Sequence, residues 1–212
     1  MVKNIVAVSV NLEKLLSKFS KEEQIRIQLK LLESIDNFKI ASKFDKTSEV
    51  TNMFHKLTDR FLQKTIAENK DTDIKCSKGC SFCCYINVDI TEDEGVLIEE
   101  YCKRNSITID YEQLGKQVNS TPETYLNIPY QDRRCAFLKN NECSIYEVRP
   151  IACRNYLVVS DPKDCNTEFE VKKTLNFVTI NTEILYSTLS SVSEFNSMSK
   201  TLLKLKSKKQ DA

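Results

Sequence analysis

The apolar positions in the first part of the chain recur at helical spacing. "SKEE" at Ser20–Glu23 has the pattern of a capping box, in which a serine and a glutamate three residues later satisfy each other's backbone N–H groups. The apolar residues that follow it, three or four apart, predict one buried helix face: Ile25, Leu29, Leu32, Ile35 and Phe38. A second helix is predicted over residues 48–68, with Phe54, Leu57 and Phe61 on one face.

Further helices are predicted on both sides of a proline-containing stretch. "TEDE" at Thr91–Glu94 is another capping box and opens a helix through about Arg104, and a shorter helix is expected from Asp110 to Val118. Near the end of the sequence, a long apolar stripe has the spacing of an amphipathic helix: Leu185, Leu189, Val192, Phe195, Met198, Leu202 and Leu205.

Residues that break helices are rare and unevenly placed. No proline precedes Pro122, and the only glycines are Gly79, Gly95 and Gly115, which favours helices through the first half. We therefore predict a mostly α fold for a small helical protein with a loop-rich centre. The expected division is an N-terminal helical region (1–70), a central domain (71–170) and a C-terminal helical region (171–212) that packs on the same domain.

Composition and charge exclude several classes of protein. The 212-residue chain is 41% hydrophobic and 29% charged, so it is globular rather than disordered, and its formal net charge of +1 shows no bias toward nucleic acid or anionic membranes. The lysines of "KTLLKLKSKKQ" lack the aromatic and arginine residues that typify a nucleic-acid site, so no such partner is expected. The start of the sequence is a poor signal peptide and too short to span a bilayer, so we expect a cytoplasmic protein without a membrane partner.

Nine cysteines stand out against this ordinary composition, four of them within "CSKGCSFCC". A disulfide scaffold is disfavoured because cytosolic thiols stay reduced, nine is odd, and the adjacent Cys83 and Cys84 cannot pair without strain. Buried core cysteines would not explain such a cluster beside Lys75, Ser77 and Lys78. Thiolates are preferred ligands of soft cations, so the cluster predicts a site for zinc, Cu(I) or an iron–sulfur cluster.

Two local geometries would bring these thiols together. If the segment is helical, the four cysteines fall within an arc of roughly 100°; if Gly79 opens a tight turn, Cys76 and Cys80 form a knuckle. Cys83 and Cys84 can seldom both face one tetrahedral ion, so one of them is expected to turn to a second site or to the core, and further ligands must come from downstream.

The downstream cysteines lie in "CAFLKNNECSIYEVRPIACRNY" and at Cys165. Lys139–Asn141 have turn chemistry between Cys135 and Cys143. Pro150 is expected at the first position of a helix, which places Cys153 in the first turn, where the helix dipole favours thiolate. Arg149 and Arg154 are candidates to offset the charge of a thiolate site, and a solvated face or a surface ion pair is their alternative role.

These motifs together resemble the YkgJ-type cysteine-cluster family. The pattern C-x3-C-x2-C-C, then C-x-F-L, a cysteine, I-Y, R-P-x-x-C-R and a late cysteine is matched over roughly residues 74–167. The family is regarded as zinc- or iron-chelating, so the resemblance implies a metal-stabilised centre that binds zinc or iron, including the option of a 4Fe-4S cluster. The ligands it implies are Cys76, Cys80, Cys83, Cys84, Cys135, Cys143, Cys153 and Cys165, whereas Cys102 lies outside the pattern and has core spacing.

Whether this chain is an enzyme stays open at this point. The cluster also resembles that of flagellin lysine N-methylases, which gives a cluster-dependent enzyme as the alternative to a metal-binding protein. C-x3-C-x2-C also occurs in radical S-adenosylmethionine enzymes, but their β/α barrel disagrees with the helical pattern. A cysteine nucleophile usually needs a histidine base, and the only histidine, His55, is expected on a helix surface or half-buried, far from the cluster in sequence.

Overall fold

The computed structural model describes residues 9–77 and 79–210 and is mostly α-helical. Within these residues the helices are α1 (Val10–Leu16), α2 (Lys21–Ala41), α3 (Thr47–Glu68), α4 (Glu92–Arg104), α5 (Tyr111–Gln117), α6 (Ile151–Asn155), α7 (Ile180–Val192) and α8 (Met198–Gln210). The mostly α fold class is therefore confirmed. No α-helix of the described part is long and apolar enough to cross a bilayer.

Both predicted capping boxes are formed. The Ser20 and Thr91 side chains accept hydrogen bonds from the Glu23 and Glu94 backbone N–H groups, and each glutamate carboxylate accepts from the backbone N–H of its capping residue. The helix predicted to end near Arg104 ends at that residue. Each of these helix starts depends on contacts between residues at most four positions apart, so the local sequence is enough to predict it.

In the described part of the chain, four short strands form two antiparallel pairs. Strand β1 (Asp89–Thr91) pairs with β4 (Phe195–Ser197), so that Ile90 lies opposite Asn196. Strand β2 (Leu138–Lys139) pairs with β3 (Glu142–Cys143), with Leu138 opposite Cys143. The first pair joins the segment before α4 to the segment before α8, and the second is a hairpin inside the cysteine-rich centre.

The C-terminal apolar stripe is not one helix. Helix α7 ends at Val192, and Ser193 adopts an extended conformation (φ −146°, ψ 146°) before β4. The pairing of β4 with β1 supplies the backbone hydrogen bonds that a continuous helix would otherwise make. The stripe is divided accordingly: Leu185 and Leu189 pack in one core cluster, and Met198, Leu202 and Leu205 pack in another.

The buried face of α2 was also predicted only in part. Ile35 and Phe38 are buried, but Ile25, Leu29 and Leu32 are exposed, with 56%, 59% and 46% of their surface accessible. Helix α2 carries a second apolar row, which includes Ile27 and Leu31, and this row packs against α7. Periodicity alone cannot choose between two apolar rows of one helix, because the choice depends on where the partner helix lies.

The helical flanks enclose the centre through shared cores. Helix α7 packs on α1, α2 and α3, and Ile184 of α7 joins the cluster of Leu12, Ile27 and Leu31. Helix α8 packs on α4 and α5, and its Leu202 lies in the cluster that includes Phe137 of the cysteine-rich segment. The loops that carry the cysteines are thus held between helices from both ends of the described chain.

Candidate metal centre

The first cysteines lie in a turn followed by a 3-10 helix. Gly79 has φ +86°, a value that suits glycine because it lacks a Cβ, and the Cys80 N–H donates to the Ser77 carbonyl at 3.0 Å. Cys83 and Cys84 follow in the 3-10 helix Phe82–Tyr85. Of the two geometries considered from the sequence, the structure therefore has the turn.

The next two cysteines are positioned by the β2–β3 hairpin. Its turn residues Asn140 and Asn141 have φ values of 51° and 60°, the left-handed region that asparagine tolerates well. The Cys135 N–H donates to the Cys84 carbonyl at 2.7 Å, which ties the segment leading into the hairpin to the 3-10 helix. The predicted turn is confirmed, and Cys143 is the second residue of β3, which follows the turn.

Helix α6 presents Cys153 in its first turn, as the sequence indicated. Pro150 immediately precedes the helix instead of occupying its first position. The Ile151 N–H, at the helix start, donates to Glu94 Oε1 at 2.8 Å. Glu94 belongs to α4, so one buried carboxylate anchors the short helix that carries Cys153.

The prediction that His55 lies on a helix surface or is half-buried is wrong. Its side chain is completely buried, and its Nε2 lies 2.9 Å from the same Glu94 Oε1. Glu94 Oε2 accepts the Thr91 N–H at 2.9 Å. His55 therefore belongs to a buried polar junction of α3, α4 and α6. No local sequence pattern predicts this role, because its partner Glu94 lies on another helix.

Seven of the eight implied ligands line one cavity of about 630 Å³. They are Cys76, Cys80, Cys83, Cys84, Cys135, Cys143 and Cys153. The eighth, Cys165, lines an adjoining cavity of about 390 Å³, and Tyr156 borders both cavities. All nine cysteines lie within the described residues and are free thiols.

Several of these sulfurs accept hydrogen bonds from the protein. The Val158 N–H donates to Cys76 Sγ at 3.3 Å. Burial raises the pKa of Cys135 to about 11, and the Phe137 N–H opposes this shift by donating to the thiol. Burial likewise raises the pKa of Cys143, against a hydrogen bond from the Ile145 N–H. Donors directed at sulfur favour the thiolate, the form that binds metal.

Burial and mutual repulsion keep most of the remaining thiols protonated. Burial is the main cause that raises the pKa of Cys76 and the pKa of Cys153. Burial also raises the pKa of Cys165, to about 11. The adjacent pair behaves differently, because the Cys84 thiol hydrogen-bonds to Cys83. This contact lowers the pKa of Cys83 to about 7 and raises the pKa of Cys84.

Arg149 and Arg154 both border the large cavity, and both pair with Asp59 of α3. Arg154 is almost fully buried (1% exposed) and also donates from Nε to the Arg149 carbonyl at 2.8 Å. Arg149 lies over the Tyr146 ring at 3.9 Å. Both guanidinium groups act against the burial that raises the pKa of Cys143. The positive charges of both arginines thus stabilise a thiolate in the cluster, although both side chains pair directly with the Asp59 carboxylate.

The thiols share a cavity but are not in a coordination geometry. Among the described residues, no three or more His, Cys, Asp or Glu side chains are arranged to hold one metal ion. A tetrahedral zinc–thiolate site needs sulfurs about 3.8 Å apart, the separation set by Zn–S bonds of about 2.3 Å. The donor type, the shared cavity and the hydrogen bonds to sulfur fit a soft metal, and the side chains would have to turn toward a common point.

Cys102 is separate from this group, as predicted. It is 2% exposed and packs in the core cluster with Leu97, Ile98 and Leu114. Burial raises its pKa to about 11, so it is a neutral core thiol.

The fold and the site define a mostly helical protein with a cysteine-lined cavity at its centre. Residues 75–177, just under half of the chain, match the family model CxxCxxCC, whose description is "Putative zinc- or iron-chelating domain". The matched segment contains all eight cysteines implied as ligands, and the predicted cysteine-cluster family is confirmed for it. No curated protein matches the chain, and no solved structure does.

Proposed function

We propose that this chain is a metal-binding protein that holds zinc or iron through thiolates from as many as eight cysteines. The observation that carries the proposal is that seven of these cysteines, from three separate stretches of sequence, line a single cavity. Thiols gathered in one cavity add little to the packing of the core, but as thiolates they bind a soft cation strongly. Metal or an iron–sulfur cluster there would supply a cross-link between the turn, the hairpin and α6.

The surroundings of the cavity support the same proposal. Backbone N–H groups donate to Cys76, Cys135 and Cys143, as is usual around metal-bound sulfur. Four thiolates on one divalent ion leave a net charge of about −2, and Arg149 and Arg154 are placed to offset it. Neither the fold nor the family match adds support to the methylase-like alternative, so metal binding is the function proposed.

Anaerobic purification followed by elemental analysis and an absorption spectrum tests this function. We expect one or more equivalents of zinc or iron per chain. Broad visible absorption with iron and sulfide would identify an iron–sulfur cluster, and colourless zinc-loaded protein would identify tetrahedral thiolate sites. Fully folded protein that carries no metal, and takes up none on reconstitution, would contradict the proposal.

A further inference from the structure

We propose that two copies of this chain associate through an exposed apolar face of α2, as an antiparallel pair of helices related by a two-fold axis near Leu29. The face consists of Ile25, Leu29 and Leu32, which we refer to as the α2 stripe. The residues that line the cysteine cavity come from other elements, so this inference does not depend on metal binding.

The α2 stripe is one continuous apolar surface. Its three residues lie four and three positions apart, which places them within an arc of roughly 60° on the helix. Between 46% and 59% of the surface of each residue is accessible. The largely opposite face of α2 packs on α7 through Ile27 and Leu31. A surface helix normally has polar residues opposite its buried face, so a second apolar face indicates an interaction site.

An antiparallel arrangement matches the stripe with itself. A two-fold axis near Leu29 places Ile25 of one copy opposite Leu32 of the other, and the reverse contact follows by symmetry. Leu29 then lies close to Leu29 of the second copy. Apolar side chains are thus covered by apolar side chains along the whole stripe, which removes them from water.

The charges beside the stripe favour a second copy of this chain as the occupant. Arg26 and Glu33 are exposed on the same side of the stripe, seven residues apart. The two-fold axis brings the same side of each copy together, so Arg26 of one copy faces Glu33 of the other, twice per dimer. Arg26 also pairs with Glu22 of its own chain at 2.6 Å, and its five N–H donors are enough for both carboxylates.

The same charges disfavour an anionic membrane as the occupant. Helices that lie on such membranes have polar faces rich in Lys and Arg, whereas Glu22, Glu33 and Asp36 flank this stripe and would be repelled by anionic lipids. One helix face is smaller than the about 800 Å² per partner of a typical stable complex, so we expect association only at high protein concentration.

Sedimentation equilibrium of the anaerobically purified protein, from about 10 µM to about 1 mM, tests the proposal. We expect a monomer–dimer equilibrium within that range. Leu29→Glu should weaken it at least about tenfold. The matched control is Leu175→Glu, because Leu29 and Leu175 are both 59% exposed, and it should leave the equilibrium unchanged. A protein that is monomeric at every concentration, or a dimer that Leu29→Glu does not weaken, would overturn the proposal.

Charge reversal tests the antiparallel arrangement. Arg26→Glu and Glu33→Arg each place like charges opposite one another, so each variant alone should associate more weakly than the unmodified protein. An equimolar mixture of the two should regain the association, because two carboxylates on one copy then face two guanidinium groups on the other. Circular dichroism verifies that both variants fold. A mixture that associates no better than either variant alone would show that the arrangement is wrong.

Discussion

Glu94 joins α4 to α3 and to the short helix α6 that carries Cys153. Its two carboxylate oxygens accept from the Thr91 N–H, the Ile151 N–H and His55, and its side chain is completely buried. A buried acceptor with three partners is costly to remove, because each partner is left without a hydrogen bond and without access to water. Glu94 thus fixes the start of α6 at Ile151, two residues before Cys153 along the helix.

Replacing Glu94 by alanine should lower the free energy of unfolding by about 3 kcal/mol or more, the scale of a broken buried polar pair. The matched control is Glu23→Ala, which removes the same capping-box glutamate from α2 at an exposed site. Urea unfolding of both variants provides the comparison. Equal losses of stability would show that Glu94 acts only as a helix cap and does not anchor α6.

Substitutions within one residue type should separate metal ligands from a core thiol. Cys102→Ala should cost about 1 kcal/mol of stability and leave the metal content unchanged, because Cys102 packs in the core. Cys80→Ala should lower the metal content and destabilise the centre more strongly, because the remaining thiolates lose a shared ion. Metal per chain and melting temperature are measured on both variants. Loss of metal from Cys102→Ala as complete as from Cys80→Ala would refute this ligand assignment.

At the scale of elements, the crossing of α4 and α8 depends on a missing side chain. A Cβ added at Gly95 would lie 2.8 Å from Leu205 Cδ1 and 2.9 Å from Thr201 Cγ2. A Cβ at Gly115 of α5 would meet nothing within 4 Å. Gly95 therefore allows close packing of two helices, whereas no packing constraint acts at Gly115.

Alanine at these positions should change stability in opposite directions. Gly95→Ala should destabilise by about 1–3 kcal/mol, because Leu205 and Thr201 must move within a packed core. Gly115→Ala should stabilise by about 0.5–1 kcal/mol, because alanine loses less backbone entropy in a helix. Thermal unfolding of the two variants checks this, and a stabilising effect at Gly95 would mean that α4 and α8 do not pack this closely.

For the whole molecule, removal of metal should loosen the centre more than the flanks. Apart from α4 and α5, the centre has little regular structure: strands β2 and β3 have two residues each and α6 has five. Helices α2 and α3 both pack on α7, and the core clusters they share contain no cysteine. After chelation we expect faster proteolysis between residues 71 and 170 while most of the helical circular dichroism persists. Unchanged protease resistance after confirmed metal loss would contradict a metal-stabilised centre.

Metal affinity should rise with pH. Six of the eight candidate ligands have pKa values raised mainly by burial or, for Cys84, by its contact with Cys83, so they are protonated near neutral pH without metal. Each must lose its proton to bind, so higher pH favours binding and acid releases the metal. Competition with a chromophoric chelator between about pH 6 and about pH 8 measures the slope. An affinity independent of pH would mean that these thiols are already ionised.

The sequence by itself determined the features whose partners lie within a few residues. The capping boxes at Ser20 and Thr91, the Gly79 turn and the Asn140–Asn141 hairpin turn are built from local contacts. The cysteine spacing and the flanking motifs likewise sufficed to predict the family model that residues 75–177 match. Backbone hydrogen bonding and φ preferences act over one helical turn or less, so a linear pattern contains the information they need.

Only the tertiary structure decided the features that join distant segments. It selected the apolar row of α2 that is buried, interrupted the C-terminal stripe with β4, and brought His55 to Glu94 and both arginines to Asp59. It also gathered thiols from residues 76 to 153 around one cavity. Burial and long-range pairing depend on which surfaces meet when the helices pack, and the periodicity of one segment cannot predict which surfaces these are.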